Sequence, residues 1–182
     1  VPEVLAESAQ ALLLSDIGQT FSSVLARVEQ NARLRLITRA ASALAHAHAK
    51  DSYIGQPLAR NITIAADGRI GFIDFEEDPH EVMSLQQAQV RDWLFFTVGV
   101  SRYFEQQEDV LAAIIADAMR DASPSVQEAL VVTAQRLSWV GRLAAFLGGR
   151  ARRIASAIKA LKLTNLVGAL LLALLFGLGV DF

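Results

Sequence analysis

Hydrophobic positions in the first half of the chain change spacing several times, and each change predicts a new element. An apolar run at residues 11–14 ends in Ser15-Asp16-Ile17-Gly18, which predicts a strand followed by a turn. The apolar spacing over residues 21–28 predicts a short helix. Residues 34–48 predict a longer helix with one apolar face. That face comprises Leu34, Ile37, Ala41, Leu44 and Ala45.

The middle of the chain has the pattern of a β-hairpin. Residues 61–65 and 70–75 are short β-rich runs, and Ala66-Asp67-Gly68-Arg69 separates them. Asp-Gly between two such runs predicts a tight turn, because glycine adopts the positive φ that the turn requires. The preceding residues 50–60 contain Gly55 and Pro57 and predict a loop.

Helical spacing returns after the hairpin. Residues 85–104 and 109–122 each predict a helix. Ser123-Pro124 predicts the start of a third, because proline is favourable in the first turn. The pattern therefore predicts an α+β fold that is mainly helical with a short β-hairpin.

The C-terminal residues have a different character. Residues 163–180 carry no charge, and as a helix they measure roughly 27 Å, close to the thickness of a bilayer core. Only Asp181 follows as a charge, whereas six basic residues precede the run: Arg142, Arg150, Arg152, Arg153, Lys159 and Lys162. This asymmetry predicts a single-pass transmembrane helix in the inner (cytoplasmic) membrane, with the bulk of the chain cytoplasmic. A surface-lying segment and a buried core helix are the alternatives.

Charge is divided unevenly along the chain. Residues 1–128 hold 10 basic against 18 acidic residues, and residues 129–182 hold 7 basic against one acidic residue. Residues 136–162 are therefore interpreted as a basic amphipathic juxtamembrane segment. Because an apolar run adjoins them, the expected partner is the lipid bilayer and not a nucleic acid.

Cysteine and histidine usage limits the possible chemistry. The chain has no cysteine, which excludes disulfides, thiolate metal sites and a cysteine nucleophile. His46, His48 and His80 are too few and too scattered to predict a zinc site. The first two are interpreted as residues on a helix face.

One motif spans the loop and the hairpin. Gly55-Gln56-Pro57-Leu58-Ala59-Arg60-Asn61 is followed by Ile73-Asp74-Phe75-Glu76. Over about residues 1–105 the chain resembles the protein-kinase-like superfamily, most closely its aminoglycoside phosphotransferase and lipopolysaccharide kinase branch. In that branch a His-Gly-Asp loop leads to an Asn-Ile-Leu strand and then to Ile-Asp-Phe or Ile-Asp-Trp-Glu.

The resemblance implies a nucleotide site. Asn61 and Asp74 match the residues that bind Mg²⁺, and oxygen ligands of these two types suit that ion. Ser15, Asp16 and Gly18 lie in a segment that looks like the hinge holding the adenine of ATP. The implied domains are the end of an N-lobe with its hinge (1–18), a helical C-lobe (19–135), the juxtamembrane segment (136–162) and the transmembrane helix (163–180).

Two departures from the family pattern affect the expected activity. Gln56 occupies the position of the catalytic Asp, and Ile54 that of the preceding His. An amide cannot accept a proton from a substrate hydroxyl at neutral pH, although it can orient one. The chain also starts too late to include the glycine-rich loop and its lysine, so these 182 residues alone are not expected to form an active kinase.

Three functions are compatible with these patterns, and whether the chain is an enzyme stays open. The first is a membrane-anchored kinase-like phosphotransferase acting on an envelope or lipid-linked substrate. The second is a pseudokinase that binds nucleotide or recruits a protein partner at the membrane. The third is a small helical membrane protein with an incidental hairpin.

Two local readings also stay open. Arg91-Asp92 either braces the catalytic loop, as in the family, or forms a simple helix ion pair. The acidic run Glu76-Glu77-Asp78 represents either auxiliary metal contacts or exposed charges.

Overall fold

A computed structural model describes residues 3–75, 78–139 and 153–164 of the chain. These residues form an α+β fold of five short strands and six α-helices, with one 3₁₀ turn at Pro79–Glu81. The strands are β1 (Val4–Glu7), β2 (Leu12–Leu14), β3 (Gln19–Thr20), β4 (Ile62–Ile64) and β5 (Ile70–Phe72). The helices are α1 (Phe21–Leu25), α2 (Gln30–His48), α3 (Leu85–Ser101), α4 (Glu108–Ala118), α5 (Pro124–Arg136) and α6 (residues 153–164).

The strands form two separate antiparallel sheets. Strands β1 and β2 make a two-stranded hairpin, and strands β3, β4 and β5 make a three-stranded sheet in that order. The predicted hairpin is β4–β5, in which Ile62 pairs with Phe72 and Ile64 with Ile70. The Asp-Gly turn closes it, with the Gly68 N–H donating to the Ala65 carbonyl. Strand β3 was not predicted, because a strand of two residues has no recognisable periodicity.

The core lies between the helices and the three-stranded sheet. Its largest fully buried side chains include Phe21, Leu44, Ile62, Trp93 and Phe96. Helix α2 packs against α4, and α3 against α5. This packing places the start of α3 directly behind the loop that joins α2 to β4.

The sequence encodes a cap at the N-terminus of helix α3. The Ser84 hydroxyl accepts from the Gln87 N–H, and the Gln87 side chain accepts from the Ser84 N–H, which is a capping box. These two bonds satisfy amides that the first helical turn leaves without partners. The cap therefore fixes where α3 begins, and with it the position of Asp92 two turns later.

Helix α6 packs on the folded domain. Ala157, Ile158, Ala160 and Leu161 are buried. Lys159 and Ser156 both contact Glu108 of α4, and the Thr164 hydroxyl approaches the Ala112 carbonyl. Residues 157–161 of the predicted juxtamembrane segment therefore pack against protein, whereas Trp139 and Ile154 of the same segment are exposed.

The prediction of a C-terminal transmembrane helix is wrong. No helix within the described residues is long and apolar enough to cross a membrane, and this also overturns the predicted single-pass location in the inner membrane. The first two residues of the run, Leu163 and Thr164, form the end of the packed helix α6. Residues 165–180 lie outside the described residues, as do residues 140–152 of the predicted juxtamembrane segment.

Candidate functional site

Asn61 and Asp74 contact each other across the base of the β4–β5 hairpin. Asn61 directly precedes β4, Asp74 lies two residues after β5, and the register of the hairpin brings these flanks together. The Asn61 amide nitrogen donates to Asp74 Oδ2 at 2.8 Å and to the Gln56 carbonyl at 3.1 Å. Three of the residues singled out from sequence thus meet at one place.

These contacts leave two oxygen atoms available for a ligand. An amide has two N–H donors and one carbonyl acceptor, and both donors of Asn61 are used by the protein. Among the described residues no donor reaches Asn61 Oδ1 or Asp74 Oδ1. An amide oxygen and a carboxylate oxygen are ligands that a hard divalent cation prefers. The chemical types of these two oxygens therefore suit a Mg²⁺ ion.

The backbone of Asp74 is strained. Its φ is 70°, in the left-handed region that side-chain-bearing residues rarely adopt. Such conformations cost about 1–3 kcal/mol and persist only where the surrounding structure holds them. The strained backbone carries an exposed carboxylate beside the nearly buried Asn61.

The loop between α2 and β4 is held from behind by Asp92. This carboxylate is fully buried and accepts from the Ile54 N–H at 2.6 Å and the Gly55 N–H at 2.8 Å. Asp92 Oδ2, the oxygen that accepts from Ile54, also lies 2.9 Å from His48 Nε2. Gly55 has a φ of 92°, which favours glycine at this point of the loop. Of the two sequence interpretations of Asp92, the structure supports the loop brace.

Neighbouring side chains extend this brace. The Gln89 amide donates to the carbonyls of His48 and Ser52, both at 3.1 Å. Arg91 Nη1 donates to the Gly55 carbonyl at 2.8 Å. Sequence reasoning missed Gln89 and treated His48 as a helix-face residue. One signal was present, because His48 continues the helical stripe of Ile37, Ala41 and Leu44.

Gln56 lies at the front of this loop. Its carbonyl accepts from the Leu58 N–H at 2.7 Å as well as from Asn61. The residue is half-buried, and within the described residues its side-chain amide makes no hydrogen bond. Gln56 therefore contacts Asn61 through its backbone carbonyl and keeps an uncommitted side-chain amide, which can orient a hydroxyl but cannot take its proton.

The hinge-like residues lie elsewhere in the fold. Ser15 and Asp16 line a cleft of about 680 Å³ together with Arg39, Ser42 and Gly71, and neither Asn61 nor Asp74 is among its lining residues.

Gly18 lies against the hairpin instead. Its φ is 89°, and a Cβ there would fall 2.0 Å from the Ile64 carbonyl oxygen. The Asp16 carboxylate accepts from the Gly18 N–H within this turn, and the following strand β3 pairs with β4. The structure therefore joins the hinge-like segment to the hairpin but does not bring its side chains to Asn61.

A second contact joins the loop to the segment after Asp74. The Tyr53 hydroxyl donates to Asp78, whose carboxylate also accepts from the His80 N–H at 2.9 Å. The Tyr53 hydrogen bond, followed by that from His80, lowers the pKa of Asp78 below its usual range. The same carboxylate raises the pKa of the Tyr53 hydroxyl, first through the hydrogen bond. Neither Tyr53 nor His80 was expected at the site.

The cation would have only two protein ligands here. Within the described residues, no three histidine or acidic side chains lie close enough together to hold a metal ion. Glu76 and Glu77, considered as auxiliary ligands, lie outside the described residues. Two protein oxygens leave the rest of the coordination shell for phosphate oxygens and waters, which is how Mg²⁺ is commonly bound.

Comparison with known proteins gives one relative. The chain is similar to an uncharacterised protein of Haemophilus influenzae, with 27% identity over 142 residues. The match covers 77% of this chain and 58% of the relative, so the chain spans less than two thirds of that protein. No protein-family model matches the chain, and no solved structure matches it.

Proposed function

We propose that this chain is part of a kinase-like phosphotransferase domain and binds a Mg²⁺–nucleotide complex at Asn61 and Asp74. The contact between these two side chains, beside the Gln56 loop, carries the proposal. It is the arrangement that the motif resemblance implies, and it is formed by residues thirteen positions apart.

The chemistry of the site supports this assignment. Phosphoryl transfer depends mainly on positioning and on neutralising the charge of the phosphates. Asn61 and Asp74 offer one neutral and one anionic oxygen to a cation. The strained backbone of Asp74 supports a functional reading, because strain of this kind clusters at ligand sites.

The rigidity of the loop supports it as well. Two hydrogen bonds to the fully buried Asp92 fix the two residues just before Gln56, and a third joins Asp92 to His48. A phosphotransferase needs its reacting groups held in place before substrate arrives. The loop has no regular secondary structure of its own, and these hydrogen bonds hold it in place as such a site requires.

Binding is tested by calorimetric titration with ATP in the presence and absence of Mg²⁺. Asp74→Asn is the informative variant, because Asn keeps the shape and tolerates a positive φ while losing the charge. We expect it to weaken Mg²⁺-dependent binding by about tenfold or more. Asp121→Asn, an exposed change without a hydrogen bond in the described residues, is the matched control. No binding of Mg-ATP by the wild type would contradict the proposal.

Gln56 favours a second candidate function, a nucleotide-binding module without transfer activity. An absent general base costs about 10²–10⁴-fold in rate. Gln56→Asp restores the acid of the family pattern next to Asn61. If the wild type is a non-catalytic module, Gln56→Asp in a protein that also carries the glycine-rich loop and its lysine is expected to raise ATP turnover by about a hundredfold while affinity changes little. Turnover by the wild type that falls in Gln56→Asp would favour the active phosphotransferase.

A further inference from the structure

We propose that Tyr53 is a positioning residue for the cation site, and that Tyr53 and Asp78 form a latch between the Gln56 loop and the segment after Asp74. This inference rests on the proposed function, since the site it positions is the one formed by Asn61 and Asp74. Neither latch residue belongs to the motif that carries the family resemblance.

Three contacts converge on the latch. The Tyr53 hydroxyl donates to Asp78 Oδ1, and the same oxygen accepts from the His80 N–H at 2.9 Å. The rings of Tyr53 and His80 stack, with centroids 6.1 Å apart and planes 3° from parallel. A hydrogen bond to an ionised carboxylate is about twice as strong as one between neutral groups. The stacked ring fixes the direction from which the hydroxyl approaches.

The latch lies close in sequence to both halves of the site. Tyr53 is three residues before Gln56, and Asp78 is four residues after Asp74. Four residues reach at most about 14 Å, so holding Asp78 restricts where Asp74 can lie. Asp74 also needs outside support, because its φ of 70° is unfavourable.

The latch complements the brace formed by Asp92. Asp92 holds Ile54 and Gly55 from the buried side, whereas Tyr53 holds the preceding part of the loop to Asp78 on the exposed side. The brace fixes the loop relative to α3. The latch fixes the segment after β5 relative to that loop, and this is the relation that sets the geometry between Gln56 and Asp74.

Tyr53→Phe removes the hydroxyl and keeps the stacked ring, so it tests the latch alone. Tyr103→Phe is the matched control, because the buried Tyr103 hydroxyl makes no hydrogen bond within the described residues. For the full 182-residue chain, ATP affinity is measured by titration at a series of Mg²⁺ concentrations and in Mg²⁺-free buffer. We expect Tyr53→Phe to need about three- to tenfold more Mg²⁺ for the same affinity, and Tyr103→Phe to match the wild type.

Two results would overturn the latch. One is an unchanged Mg²⁺ requirement in Tyr53→Phe. The other is an equal loss of affinity with and without Mg²⁺, since that indicates a general structural effect and not positioning of the cation site.

Amide exchange of residues 80–83 separates this inference from the proposed function. If the wild type binds no Mg-ATP, the proposed function fails and the positioning role fails with it. Faster exchange in Tyr53→Phe than in Tyr103→Phe would then still support the latch as a structural contact. Equal exchange would overturn the contact too.

Discussion

Removal of the Asp92 carboxylate is the most direct test of how the site is built. Asp92 lies on α3, is fully buried and touches the candidate site only through the backbone of the loop. Asp92→Ala leaves the Ile54 and Gly55 N–H groups and His48 Nε2 without their shared partner. We expect a large loss of stability, although Asp92 contacts no proposed ligand.

The magnitude follows from the three lost bonds. A buried donor left without an acceptor costs about 1–3 kcal/mol, and breaking a buried charged group away from its partners costs about 3–5 kcal/mol. Water can reach the loop in part, because Gln56 and Tyr53 beside it are only half-buried. We therefore expect Asp92→Ala to lower the free energy of unfolding by about 3–5 kcal/mol. This is a substantial part of the ~5–15 kcal/mol typical of a domain.

Urea unfolding measures this change as a shift in midpoint at constant slope. Asp92→Asn is the second variant, because it keeps one acceptor and should lose about half as much. Asp121→Ala, at an exposed position, is the control and should stay within about 0.5 kcal/mol of the wild type. A loss below about 1 kcal/mol in Asp92→Ala would refute the reasoning, since it would mean that the loop holds its shape without the brace.

Three further changes test other parts of the structure. Asp74→Gly should abolish Mg²⁺-dependent nucleotide binding and change the free energy of unfolding by less than about 1 kcal/mol, because relief of the positive φ offsets the lost hydrogen bond from Asn61; a larger change in urea would contradict this. Gly18→Ala should lower stability by about 1–3 kcal/mol, because its Cβ collides with the Ile64 carbonyl; an unchanged melting temperature would contradict it. Burial alone would raise the pKa of Glu108, but the hydrogen bond and charge of Lys159, a backbone hydrogen bond and the Ser156 hydroxyl together outweigh it and hold the pKa below its usual range. The stabilisation that the ionised Glu108 carboxylate supplies is therefore complete above its ordinary pKa of 4.5 and is lost as pH falls through the lowered pKa. Glu108→Gln should accordingly be less stable than the wild type by under about 1 kcal/mol at neutral pH and equally stable in acid.

The meeting of Asn61 and Asp74 could be predicted from sequence because a tight turn fixes register. Asp67-Gly68 sets the pairing of the two strands, and residues flanking the paired segments then lie together at the open end of the hairpin. Only local information is needed for this step. The helices of the first half were predictable for the same reason, since their apolar periodicity repeats within each segment.

The support behind the site was only partly predictable. Asp92 lies 37 residues from Gly55, so its role depends on how α3 packs behind the loop. The family resemblance suggested a brace, but sequence alone left an ion pair with Arg91 equally open. Tyr53 and Asp78 are 25 residues apart in irregular segments, where no periodicity indicates which side chains meet.

The transmembrane prediction was wrong, and α6, which holds the first two residues of the predicted span, shows that apolar and basic residues serve protein packing as well as lipid. In α6, alanine, isoleucine and leucine side chains are buried, while Lys159 extends to Glu108 at 3.1 Å. Its sequence has the same mixture that was interpreted as a juxtamembrane segment. Hydrophobicity alone does not identify the surface against which a helix packs. Here the ion pair of Lys159 with Glu108 shows that α6 packs on α4.

The site therefore depends on two kinds of contact with different sensitivity to mutation. The hairpin brings Asn61 and Asp74 to the same end of the sheet by local register, and the latch then restricts the position of Asp74 beside Asn61. The position of Gln56 relative to the pair depends on Asp92 behind the loop and on Tyr53 in front of it. Changes at Asp92 should reduce stability first, whereas changes at Tyr53, which is more exposed, should alter the Mg²⁺ requirement at nearly constant stability. This difference separates the fold of the loop from the function proposed for it.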